Sequence, residues 1–263
     1  MSARPPRIHI ESAGVGPPLV LLHGFALHGG LFAPILPALA AHHRVHVVDL
    51  PGHGHSAPLS DMTLDAVAGS IAEALPQHDA PLVLLGWSLG GAVALHWARA
   101  EPQRIARLVL VCTTPAFIAR DHWPHAMAPE TLARFGDELR VAYKATLQRF
   151  LTLQVQASER GRATLATLRQ QLFARGEPPP AVVDATLALL TAIDLRGELA
   201  QVVAPSLVIS GSRDTLAPAA AGAWLAGALP DARYVELEGA AHAPFLSHTD
   251  AFIAIVNEFL DAR

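Results

Sequence analysis

At 263 residues the chain fits one large domain or two small ones and is long enough to bury a substantial core. It is 51% hydrophobic and 16% charged, which excludes a disordered chain. A net charge of -4 gives no reason to expect a nucleic-acid partner, and one cysteine excludes an intrachain disulfide framework.

The N-terminal stretch MSARPPRIHI has no apolar core and predicts no signal peptide. No run reaches the roughly 18 apolar residues of a membrane span, so the expectation is a cytoplasmic protein with no membrane association. Strands are predicted at RIHIE (7–11), PLVLLHG (18–24), RVHVVDL (44–50), PLVLLGW (81–87), RLVLVCT (107–113), PSLVISG (205–211) and ARYVELEG (232–239). Most are continuous apolar runs, the pattern of strands buried on both faces of a parallel sheet. Cys112 falls in one of them and reads as a buried structural thiol. Helices are predicted at 31–42, despite two prolines, and at 63–75, 89–100, 219–229 and 249–262, the last capped by Thr249 or Asp250. Repeated βα units imply an α/β fold with a mostly parallel, doubly wound sheet. From 115 to 194 the pattern is helical, broken at GEPPP (176–180). That divides the chain into a core of 1–114 and 195–263 and a helical cap of 115–194.

Gly86-Trp87-Ser88-Leu89-Gly90 matches G-x-S-x-G between a strand and a helix, the context of a nucleophile elbow. The alternative is a serine that fills a tight turn or caps the next helix. A serine hydroxyl needs a base, and the base needs an orienting group. Among 14 histidines, His242 lies in the loop after the last strand; His248 is the competitor. Asp214 follows the LVIS strand as the acid, with Asp194 as the alternative. The backbone N–H groups of Leu89 and Phe25 are the candidate oxyanion donors. His23, before Gly24, reads as a brace for that loop more than as a base. His53 and His55 lack a third ligand with site spacing, so no metal is expected. The histidines of AHHR (41–44) and DHWPH (121–125) read as exposed. No phosphate-binding glycine pattern follows a strand, so no cofactor is expected either.

With these residues the chain resembles an α/β-hydrolase with a helical cap, from end to end. The resemblance implies that fold, with the cap inserted after the sixth core strand. LVLLHGF, VVDLPGHGHS, LGWSLGG, ARDHWPH, RFLTLQ, DLRGEL and AAHAPFLSH together resemble the pimeloyl-[acyl-carrier protein] methyl ester carboxylesterase family of biotin synthesis. That likeness implies a catalytic triad of Ser88, Asp214 and His242 and an oxyanion hole at Phe25 and Leu89. It implies substrate contacts at Phe25, Trp87 and Phe150, although Phe150 reads equally well as a cap-core residue. It also implies an acyl carrier protein as partner, met by Arg149 and Arg162. Two further basic positions of the family are Ala145 and Ala166 here, with Lys144 and Arg169 nearby to compensate.

Between Arg120 and Glu177 nine basic residues face six acidic ones, a charge of +3 on a chain of -4. A basic cap on an acidic body suits an acidic carrier, although a solvated helical surface has the same composition. Two other readings stay open. One is a short-chain carboxylesterase without a carrier, and the other is a ligand receptor on a hydrolase fold. A monomer is the expectation for the assembly.

Overall fold

The computed structural model describes residues 7–155, 158 and 160–262. The first six residues of the N-terminal stretch and Glu159, one of the acidic cap residues, lie outside them.

The strands are β1 (Ile10–Ala13), β2 (Pro18–Leu22), β3 (Arg44–Val48), β4 (Leu82–Trp87), β5 (Ile105–Val111), β6 (Ser206–Gly211) and β7 (Ala232–Leu237). They form one sheet in the order β1-β3-β2-β4-β5-β6-β7. Only β1 runs antiparallel, against β3; every other pairing is parallel. All residues of β2 and β4 are buried, which is why these strands read as unbroken apolar runs.

The helices of the sheet are α1 (Leu36–Ala40), α2 (Leu64–Ala74) and α3 (Leu89–Ala100), and later in the chain α7 (Ala219–Ala228), α8 (Pro244–Ser247) and α9 (Thr249–Asp261). The step from β2 to β3 moves one way along the sheet, and every later step moves the other way. Right-handed crossovers therefore put α1 on one face and α2, α3 and α7 on the other. α9 returns to pack on α1. The direction reverses at β2 and β4, so a crevice opens at their carboxyl ends, where ligands of such sheets bind.

Between β5 and β6 lie α4 (Pro129–Leu153), α5 (Gly161–Gln171) and α6 (Pro180–Ala192). This helical segment follows the fifth strand in chain order. Among the described residues the N-terminal edge is a single strand, so the position is one earlier than the ordinal that the resemblance implied. GEPPP separates α5 from α6, and Pro180 opens α6, where its missing N–H costs nothing. α4 is two helical stretches joined at Ala142 (φ -142°, ψ 60°).

The predicted helix over 31–42 is instead a 3-10 turn at Gly29–Phe32 and the five-residue α1, because Pro34 and Pro37 interrupt the hydrogen-bond ladder. Neither Thr249 nor Asp250 caps α9: the cap position is His248, and the Thr249 hydroxyl donates back to Phe245 O at 3.0 Å. Cys112 is buried. His43 is buried too, against the exposure expected of it.

Candidate active site

β4 ends at Trp87 and α3 begins at Leu89, so the chain turns on Ser88 alone. Ser88 takes φ 55°, ψ -119°, a conformation that L-residues adopt only when their surroundings impose it. The flanking glycines are required by space: a Cβ on Gly86 would lie 2.3 Å from Gly90 O, and one on Gly90 would lie 2.2 Å from Leu22 O. The Ser88 side chain makes no capping bond to α3, which removes the helix-cap explanation for the residue. Its backbone is pinned instead. Ser88 N–H donates to Val111 O at 2.9 Å, and the Thr113 hydroxyl donates to Ser88 O at 2.7 Å.

The loop after β7 brings His242 to the loop after β6. His242 Nδ1 donates to Asp214 Oδ2 at 2.8 Å, with both side chains almost wholly buried. The other carboxylate oxygen, Oδ1, accepts the backbone N–H groups of Leu216 and Ala217 at 2.8 and 3.0 Å. Asp214 is thus fixed in place and the ring's orientation is set, leaving Nε2 as the basic nitrogen. The alternatives sit elsewhere. Asp194 is paired with Arg196 at 2.7 Å, and His248 pairs with the Ser247 hydroxyl at 2.8 Å.

The loop after β2 approaches Ser88 closely: a Cβ on Gly24 would lie 3.2 Å from Ser88 Cβ. His23 braces this loop. Its Nε2 accepts the Leu50 N–H at 2.8 Å, so Nδ1 carries the proton and donates to Gly24 O at 2.8 Å. Burial, then the neighbouring His53, pushes its pKa down to about 3, so the ring is neutral and is not a base at neutral pH. In a trans peptide the carbonyl and the next N–H point opposite ways, so holding Gly24 O outward aims the Phe25 N–H away from His23. Leu89 is the first residue of α3, and its N–H has no intrahelical acceptor.

A cavity of about 180 Å³ opens above His242. Its walls are mostly apolar, among them Phe25, Phe135, Phe150 and Leu216. The rings of Phe25, Phe135 and Phe150 pack together with centroids 5.1 to 6.1 Å apart. Trp87, expected at the substrate, is not part of this wall. It is 1% exposed, and its Nε1 donates to His242 O at 2.6 Å, so it supports the histidine from below. Sequence reasoning missed Thr113 and Phe135, since a threonine at the end of a predicted strand and an aromatic in a helical segment have ordinary core readings.

The four candidate carrier-binding residues divide into two pairs. Arg149 is bonded to Glu138 at 2.7 Å and Lys144 to Glu177 at 2.8 Å. Arg162 and Arg169 are seven residues apart on one exposed face of α5, and neither makes an ion pair among the described residues. Among the described residues, two clusters bring three potential metal-ligand atoms within 4.8 Å: His9, Asp49 and His55, and Cys112, Asp214 and His242. In each, the carboxylate oxygens already accept N–H donors. Burial, then Asp214, pushes the Cys112 thiol well above its ordinary pKa, which disfavours the thiolate a metal needs.

An elbow serine, a buried histidine–carboxylate pair and an apolar cavity at the sheet's switch point define a hydrolase of the α/β class. The family model for the alpha/beta hydrolase fold matches residues 17–249. A solved esterase from Exiguobacterium antarcticum superposes with a TM-score of 0.90 at 21% identity, covering 98% of this chain and 96% of that one. Among curated relatives, the pimeloyl-[acyl-carrier protein] methyl ester esterase of Xanthomonas oryzae pv. oryzae is 45% identical over 254 residues, 96% of this chain and 98% of the relative. The protein of the same name from Chromobacterium violaceum is 41% identical over 256 residues, 97% of this chain and 99% of the relative. The chain belongs to the alpha/beta-hydrolase family and, within it, to the family of these esterases.

Proposed function

We propose that the protein is a serine carboxylesterase that hydrolyses the methyl ester of pimeloyl-[acyl-carrier protein], releasing methanol and the free carboxylate for biotin synthesis. The observation that carries the chemistry is the buried His242–Asp214 pair at 2.8 Å, with His242 lining a mostly apolar cavity. The substrate comes from the name shared by relatives 41 to 45% identical over nearly the whole chain.

His242 Nε2 takes the Ser88 proton as the hydroxyl oxygen attacks the ester carbonyl. The N–H groups of Phe25 and Leu89 hold the oxyanion. The imidazolium, stabilised by Asp214, protonates the departing methanol. Water then gives a proton to His242 and attacks the acyl-enzyme, freeing the acid and restoring Ser88. The cavity takes the acyl chain, with Phe25 and Phe150 in contact with it. Residues 115–194 act as a cap over 1–114 and 195–263. Arg162 and Arg169 meet the acidic carrier first, and Arg149 and Lys144 exchange their internal acidic partners for it. Surface pairs of this kind contribute only about 0–1 kcal/mol, so the exchange costs little. The protein acts as a cytoplasmic monomer. No described helix is long and apolar enough to cross a membrane.

The test is kcat/KM for the carrier-bound methyl ester beside the free dimethyl ester, at low and high salt. A preference for the carrier-bound ester that fades with salt supports the reading. Equal rates without salt dependence would leave a short-chain esterase. Loss of turnover by several orders of magnitude in Ser88→Ala establishes the nucleophile.

A further inference from the structure

The segment just after α5 touches the core at a place with no ester chemistry of its own. Arg175 reaches down from it, with 13% of its side chain exposed. Its Nη1 donates to both oxygens of Asp49 at 3.2 Å, and its Nη2 donates to Glu11 Oε2 at 2.8 Å. Asp49, just past β3, is wholly buried and accepts two backbone donors as well: Gly29 N–H at 2.8 Å and His55 N–H at 2.9 Å. Gly29 lies four residues beyond Phe25 in the loop after β2. A second contact joins the end of α5 directly to the loop after β2. His28 Nδ1 accepts the Gly30 N–H at 3.1 Å, so its Nε2 carries the proton and donates to Gln171 O at 2.7 Å. Between Phe25 and His28 stands Ala26 at φ 61°, a conformation costly to an L-residue and kept only where the surroundings fix it.

We propose that Arg175 is a positioning residue: through Asp49 it ties the cap to the loop that presents the Phe25 amide, so that cap placement sets the geometry of the oxyanion hole. This rests on the esterase reading, since it needs Phe25 N–H to be an oxyanion donor. The planar guanidinium suits the task because its two terminal nitrogens sit in a fixed fork, Nη1 on Asp49 and Nη2 on Glu11, a geometry that the single nitrogen of a lysine ammonium does not reproduce. Without it, Asp49 keeps only its two amide donors, and the loop loses one of its links to the cap, leaving the His28–Gln171 bond and the Phe25 ring contacts.

The experiment measures kcat and KM with free dimethyl pimelate, which needs no carrier, expressed per active site titrated by an organophosphate. Arg175→Met and Arg175→Lys are expected to lose roughly tenfold in kcat with KM nearly unchanged. That is less than the roughly 10²–10³-fold cost of deleting an oxyanion donor outright. Affinity for a trifluoromethyl ketone transition-state mimic should fall in step with kcat. Glu11→Gln keeps the Asp49 contact and should retain wild-type kcat. Millimolar methylguanidinium should restore turnover to Arg175→Ala. Wild-type kcat in the titrated Met and Lys variants, a loss confined to KM, or variants that form no titratable site and are not rescued would each overturn the positioning role. An inactive wild type, matching Ser88→Ala, would instead overturn the esterase reading itself.

Discussion

Asp214 holds three N–H donors on two oxygens, and only one of them comes from His242. Asp214→Asn preserves the shape but can present an NH2 group to Nδ1, which favours the wrong tautomer of the base. A loss of about 10⁴ in kcat with little change in Tm is expected from steady-state kinetics and calorimetry. His23 carries a different prediction. Its folded pKa of about 3 lies below the ordinary 6.5 because the ring is buried. Buried His46 is likewise held down to about 4 by burial, then by His78 and Arg44. Below pH 6.5 the unfolded chain takes up protons that the folded chain refuses. Stability present above that value is therefore lost as pH falls toward the folded pKa values. Tm measured from about pH 7 to about pH 4 should drop steadily, and a flat profile would contradict the assignment.

The elements show what the sequence made legible. Apolar runs marked most of the seven strands, and G-x-S-x-G marked the turn between β4 and α3, because both signals are local. The kink in α4 left no such signal. Ala142 is a good helix former and is exposed, so neither propensity nor an apolar pattern marks the break, across which the Thr146 hydroxyl donates to Glu138 O at 3.1 Å. The elbow gives the sharpest test at this scale. Leu22 O sits where a Cβ on Gly90 would go, and a strand carbonyl cannot swing aside as a flexible side chain can. Gly90→Ala should lower the unfolding free energy by about 1–3 kcal/mol or more in urea titration, with the elbow distorted and activity lost together. Trp87 shows the limit of pattern reading. A large aromatic beside the nucleophile suggested a substrate contact, yet its indole N–H is committed to the His242 carbonyl.

For the whole molecule, charge placement matters more than net charge. The +3 of the cap was readable by counting, but the count could not show which cations are already paired. Arg162→Glu with Arg169→Glu should raise KM for the carrier-bound ester about tenfold, worth about 1.4 kcal/mol, and leave the free ester unaffected. Equal effects on both esters would place those arginines outside the docking face. The pairing of the cap's one lysine has a further use. Among 263 residues, Lys144 is the sole lysine; it is two-thirds exposed and stands two positions past the kink at Ala142. A lysine-specific protease therefore has a single internal bond to cut, Lys144–Ala145, and it lies within a helix that must unwind locally before it fits a protease cleft. The appearance of the 144-residue fragment is then a clock for the opening of α4, read on a gel without any label or mutation. A transition-state mimic lodged against Phe135 and Phe150 should slow that clock.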